Sequence, residues 1–218
     1  MSTTPHHLTR RAALIVATAT ASLVLAACGG GSDNSGSANE GHSNSSSASD
    51  TAGAHNAQDI AFAQGMIPHH QQAVQMAGLA ADRASSAQVK ALASRIEKAQ
   101  DPEINTMTGW LKSWGKDVPS SDGSMSSMPG MDDSSGSGMA NMPGMMGSAH
   151  MAELKKMSGK EFDTMFLTMM VEHHKGAVQM ATTEKGKGKY GPATGMADGI
   201  ISTQTAEITE MNKMLGKS

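Results

Sequence analysis

The chain has a single cysteine, Cys28, in 218 residues, so no intramolecular disulfide can form and stability must come from packing or a bound metal. Aromatic residues make up only 3 % of it. That scarcity argues against stacking surfaces for bases or sugars, and a net charge of −3 argues against a basic nucleic-acid face. No nucleophile–base constellation or phosphate-cradling glycine loop is present. Long apolar runs are also missing: the one stretch of note, Ala12 to Ala27, is too short for a stable membrane-spanning helix. Methionine is abundant instead, with 20 residues against 10 leucines, reversing the usual order in a globular domain.

The N-terminal run follows Arg10 and Arg11 and ends in Leu25-Ala26-Ala27-Cys28. It reads as a lipoprotein signal peptide over 1–27, with Cys28 as the lipidated first residue of the mature chain. Loss of the two arginines brings the net charge to about −5. Residues 28–54, rich in Gly, Ser, Ala and Asn, read as a flexible stalk that buries too little apolar area to fold. The expectation is an extracytoplasmic protein held at the membrane by a lipid, with its folded domain in 55–217.

That domain contains an internal repeat. Residues 59–111 align with 163–215 at a constant offset of 104, with about one position in three identical. Asp59/Asp163, Phe62/Phe166, Met66/Met170, His69/His173, His70/His174, Ala73/Ala177, Met76/Met180 and Ala77/Ala181 fall on one helical arc of roughly 120°. A second shared set, running from Ala93/Ala197 through Gln100/Gln204, Glu103/Glu207 and Met107/Met211 to Leu111/Leu215, marks a second amphipathic helix. The pattern predicts helices over 57–82, 86–114, 159–184 and 192–216. Repeat one is then 57–114 and repeat two 157–217, joined by a Met-rich, loosely ordered crossover over 115–150. Ser158 with Glu161 predicts a capping box, and Pro102 a kink. The fold class expected is all-α, a four-helix bundle of two repeated hairpins.

The chemistry concentrates on the first helix of each copy. Met66, His69, His70 and Met76, repeated as Met170, His173, His174 and Met180, place thioether and imidazole within reach of one ion, and thioethers favour Cu(I) over hard cations. Core filling is the bland account of a single methionine or histidine, but two His-His pairs at equivalent positions weaken it. Glu103 and Glu207, with Gln100 and Gln204 and with Met107 and Met211, fit a supporting role in which a carboxylate orients an imidazole across helices; direct ligation is the alternative. The crossover adds an accessory array, Met125, Met128, Met131, Met139, Met142, Met145, Met146 and His150, in a segment with no core to fill.

The blocks Met-Ile-Pro-His-His-x-x-Ala-x-x-Met-Ala at 66–77, Glu-His-His-x-x-Ala-x-x-Met-Ala at 172–181 and the two Gln-x-x-Glu-Ile-x-x-Met blocks resemble the exported bacterial family termed domain of unknown function 305. The resemblance implies a ferritin-like four-helix bundle and, for some members, copper binding in the cell envelope. Carried over by position, it points to the same eight Met and His residues. The leading expectation is a Cu(I)-sequestering or Cu(I)-transferring lipoprotein, serving a metal-transfer partner and binding no nucleic acid. The alternatives are a di-metal oxidoreductase using iron or manganese, and a lipid-anchored interaction module whose His–Glu pairs are structural.

Overall fold

The structure, a computed structural model, describes residues 53–120 and 142–217. The expected signal peptide, Cys28 and nearly all of the expected stalk lie outside these residues, as do Met125, Met128, Met131 and Met139. Among the described residues there are six helices and no strand: α1 (Ala57–Gly78), α2 (Ala80–Arg83), α3 (Ala87–Ser113), α4 (Ser148–Leu154), α5 (Gly159–Lys187) and α6 (Gly191–Met214). None of them is long and apolar enough to cross a membrane.

The four long helices correspond to those the periodicity predicts. The predicted first helix splits, with α1 ending at Gly78 and the single turn α2 following. Helix α5 runs on through Gly186 and stops at Gly188, and Pro192 sits in the first turn of α6, where its missing N–H costs no hydrogen bond. Pro102 is carried inside an unbroken α3. The expected capping box at Ser158 does not form: Ser158 is the N-cap of α5, but its side chain makes no capping bond. A capping box forms instead at α1, where Asn56 Oδ1 accepts from the backbone N–H of Gln58 and Asp59, and Asp59 Oδ2 accepts from Asn56 N at 2.6 Å.

The hairpins α1–α3 and α5–α6 each pack along their length, and they meet chiefly through α1 on α5. The repeat is therefore expressed as pseudo-twofold symmetry about the α1–α5 contact. A reciprocal clasp at the N-termini of these two helices makes the symmetry concrete. Asp59 accepts the backbone N–H groups of Lys189 and Tyr190, both at 2.9 Å, in the turn of the opposite hairpin. Its repeat mate Asp163 accepts those of Ser85 and Ser86, at 3.1 and 3.0 Å, and the Ser85 hydroxyl at 2.5 Å. Ser85 and Ser86 are the offset-104 equivalents of Lys189 and Tyr190. Each copy thus caps its partner's hairpin turn, and the buried carboxylates are satisfied by otherwise orphaned backbone donors.

Two apolar clusters fill the bundle. One joins Phe62, Met66, Ile67, Met107 and Leu111 to Ala177, Ala181 and Ile200; the other joins Phe166, Met170, Leu167 and Met211 to Ala73, Met76, Ala77, Leu92 and Ile96. They are related by the repeat, so each core combines residues of both copies.

Candidate metal centre

The histidines lie where α1 crosses α5. All four are buried, although Pro68 directly precedes His69 and Glu172 directly precedes His173. The His69 and His173 rings face one another across the pseudo-twofold axis, with centroids 3.8 Å apart. His70 turns to its own hairpin, with Nε2 2.7 Å from Glu103 Oε2 on α3, and His174 does the same with Glu207 Oε2 on α6, also at 2.7 Å. His69 Nε2 lies 3.1 Å from the backbone carbonyl of Pro143.

These partners decide the tautomers. A carboxylate or carbonyl can only accept, so Nε2 carries the proton in His69, His70 and His174. In the neutral ring Nδ1 is then the lone-pair nitrogen. In all four histidines Nδ1 is buried without a hydrogen-bond partner among the described residues, and in His173 so is Nε2. Leaving so many buried acceptors unmade is costly in a purely structural site. One imidazole nitrogen held by an acceptor and the other without a partner is an arrangement that can ligate a metal.

Electrostatics favour the neutral ring in His69 and His173. Burial pushes the His69 imidazole down to about 3, and the proximity of the His70 ring adds to this. Burial likewise holds His173 well below its ordinary value, followed by repulsion from His69, His174 and His70.

The thioethers are distributed differently from the sequence grouping. Met66 and Met76, ten residues apart on α1, belong to different clusters. Met66 packs in the cluster that holds Met107, against which the half-buried Met180 of the second copy packs, whereas Met76 shares a cluster with Met170 and Met211. Each thioether trio is therefore drawn from both repeats. Gln100 and Gln204 are buried near the carboxylates, each with Oε1 unpartnered. Among the described residues no three His, Cys, Asp or Glu side chains group to hold one ion.

Part of the crossover that the sequence marks as loosely ordered is seated on this centre. Residues 142–147 lie against α1 and α5, and α4 follows. Of the accessory array, Met142 comes beside Gly65, Met146 is clamped by Gln72, and His150 lies on α4, lining an open groove with Met157, Met165 and Met169. The sequence gives no periodic signal for Pro143 or Gln72. A hint lies in the repeat itself, because Gln72 and its equivalent Gly176 differ on a face otherwise rich in identities.

A second buried acid pair also escaped the sequence reading. Glu184 on α5 is buried near Asp59, and burial pushes its carboxyl up to about 7, with the neighbouring Asp59 carboxylate adding to the rise. Burial opposes the Asp59 charge too, but the backbone donors of Asn56, Tyr190 and Lys189, with Glu184, hold it below the usual range.

A duplicated, all-helical protein with four buried histidines at its central crossing is the class these features define. The chain belongs to the family described as domain of unknown function (DUF305), whose model matches residues 59–215. It is similar to a DUF305 protein from Streptomyces coelicolor described as secreted, with 34 % identity over 73 % of this chain and 93 % of that one and a TM-score of 0.62. A DUF305 fragment from Deinococcus radiodurans shows 29 % identity over 75 % and 98 %, with a TM-score of 0.61. CopM in its Cu(II)-bound form shows 31 % identity over 72 % and 94 %, with a TM-score of 0.57; CopM has also been solved in Cu(I)-bound, Ag-bound and apo forms. No curated protein matches the chain.

Proposed function

We propose that this chain is a cell-envelope protein that binds Cu(I) at the α1–α5 crossing and stores it or passes it to a partner. One observation carries the reading: four buried imidazoles present unpartnered Nδ1 atoms, three of them with Nε2 already anchored. Nitrogen from His69, His70, His173 or His174 would combine with sulfur from the enclosed Met66, Met76 or Met170. Such a mixed set selects a soft ion. That CopM has been solved with Cu(I), Cu(II) and Ag supports copper as the cargo of this related chain. Glu103 and Glu207 hold His70 and His174 in the ligating tautomer and do not themselves ligate.

X-ray absorption of the Cu(I)-loaded full-length protein tests this. A shell containing both sulfur and nitrogen scatterers is expected, and an all-oxygen shell would contradict it. Location follows from the N-terminal sequence: Cys28 becomes acylated and holds the protein outside the cytoplasm. The secreted description of the Streptomyces coelicolor relative favours export. Palmitate labelling lost in Cys28→Ala is the expected outcome.

The structural reading of the His–Glu pairs has the two 2.7 Å bonds in its favour. It leaves the Nδ1 atoms unexplained. A di-metal oxidase would need carboxylates free to bridge ions, and here Glu103 and Glu207 are engaged by imidazoles.

A further inference from the structure

The segment Met142–Met146 is built to sit over the histidines, and several otherwise unrelated residues serve its seating. Gln72 clamps it like a second strand: its Nε2 donates to the Met146 carbonyl at 2.9 Å, and its Oε1 accepts from the Met146 N–H at 2.7 Å. Gly144 adopts φ +77°, and a Cβ there would meet the Glu172 and His173 carbonyl oxygens at 2.7 and 2.8 Å. On α5, a Cβ at Gly176 would stand 2.0 Å from the Pro143 carbonyl oxygen. Only glycine lets the segment lie so close to the helix at both positions.

Gln72 and Gly176 occupy the same position in the two copies. One supplies the clamp and the other the clearance, so the segment lies on the pseudo-twofold axis, the axis that relates His69 to His173. There its Pro143 carbonyl takes the His69 Nε2–H. At its leading end, the Met142 sulfur and the Met180 methyl both approach the open side of Gly65, 3.7 and 3.0 Å from where a Cβ would be. Both methionines are only half-buried, whereas Met66, Met76 and Met170 are fully enclosed. Both therefore present accessible thioether side chains beside Gly65, one turn of α1 before His69.

We propose that Met142 and Met180 form a surface capture position for a soft monovalent ion, and that the strap Met142–Met146 gates its passage to the histidines. This rests on the Cu(I) reading above. The ion is taken first by the two thioethers. When the strap lifts, it moves inward by ligand exchange to the free imidazole nitrogens, with no change of oxidation state and no net proton transfer. When the strap closes, the Pro143 carbonyl again fixes the His69 tautomer and the ion is held.

The test is stopped-flow loading of the full chain with Cu(I), then removal by excess chelator, alongside amide hydrogen exchange at Met146. Gln72→Ala removes the clamp, and Gly176→Ala drives the strap from its seat while improving the helix. Each should abolish protection at Met146 and speed release about tenfold or more, the equivalent of one or two hydrogen bonds in the closed state. Met142→Ile, of similar volume without sulfur, should slow uptake about tenfold while leaving Met146 protected and the final amount bound unchanged. Lost protection with unchanged release would overturn the gate, and unchanged protection in both strap variants would overturn the seating. Unchanged uptake in Met142→Ile would overturn the capture position. Failure of the wild-type protein to bind Cu(I) at all would instead refute the function on which the gate depends.

Discussion

The decisive groups are single atoms: the Nε2 protons of His69, His70 and His174 and the unpartnered Nδ1 atoms of all four buried histidines. Glu207, largely buried against His174, illustrates what each acceptor contributes. In Glu207→Ala the Nε2–H of a fully buried ring loses its partner, which should destabilise the metal-free protein by about 1–3 kcal/mol in chemical denaturation. The same substitution should weaken Cu(I) binding roughly 10- to 100-fold, since loss of an orienting partner loosens a ligand without removing it. Glu184 makes a different prediction. Its folded value of about 7 lies above the ordinary 4.5, so the folded state keeps a proton that the unfolded chain has released. Its stabilising contribution is complete below pH 4.5 and is lost as pH rises through 7. Glu184→Gln should therefore be more stable than wild type at pH 8, by roughly 1–3 kcal/mol in paired melts, and the difference should shrink on acidification. Equal stability at pH 8 would show that this carboxyl is not forced to ionise against Asp59.

At the level of elements, the helices owe their arrangement to the repeat. The Asp59 and Asp163 clasps tie the start of one hairpin to the turn of the other. Asp163→Ala removes three accepted hydrogen bonds, two from backbone donors, and should cost roughly 2–4 kcal/mol by denaturant melt. A cost well under 1 kcal/mol would mean that solvent replaces the aspartate easily. Much of this level was legible in advance. The helical arc and fixed offset gave the four long helices, their pairing and the inward face carrying His69, His70, His173 and His174. The spacing of 33 residues that His70–Glu103 shares with His174–Glu207 put both pairs on matching helices. What stayed hidden depends on tertiary contact. Local chemistry suggested a cap at Ser158, whose side chain makes no capping bond. A Met/Pro/Gly segment has no period to betray that it docks, so the strap could not be read from 142–146. The exchange of Met76 and Met180 between cores follows from the α1–α5 crossing, and no single helix shows it.

For the whole molecule, two pseudo-equivalent cores flank one polar centre, and burial of that centre has a cost the metal can offset. His69, held at about 3, and His173, also depressed, bind fewer protons folded than unfolded. Their contribution is complete above pH 6.5 and declines as pH falls toward 3, so the metal-free protein should lose stability on acidification across that range. Thermal melts of metal-free protein from pH 7 to pH 4 check this; a melting temperature that holds or rises would contradict it. Bound Cu(I) should raise the melting temperature, because it engages nitrogens that only the folded chain brings together. The central claim is that those nitrogens bind the ion. It is tested most directly by anaerobic Cu(I) competition between a chromogenic chelator and the full-length protein, set against a variant with His69, His70, His173 and His174 all replaced by Gln, its helix content checked by circular dichroism. The account predicts that wild type withdraws Cu(I) from the chelator and that the folded variant binds at least about 100-fold more weakly. Indistinguishable binding by the two proteins would contradict it.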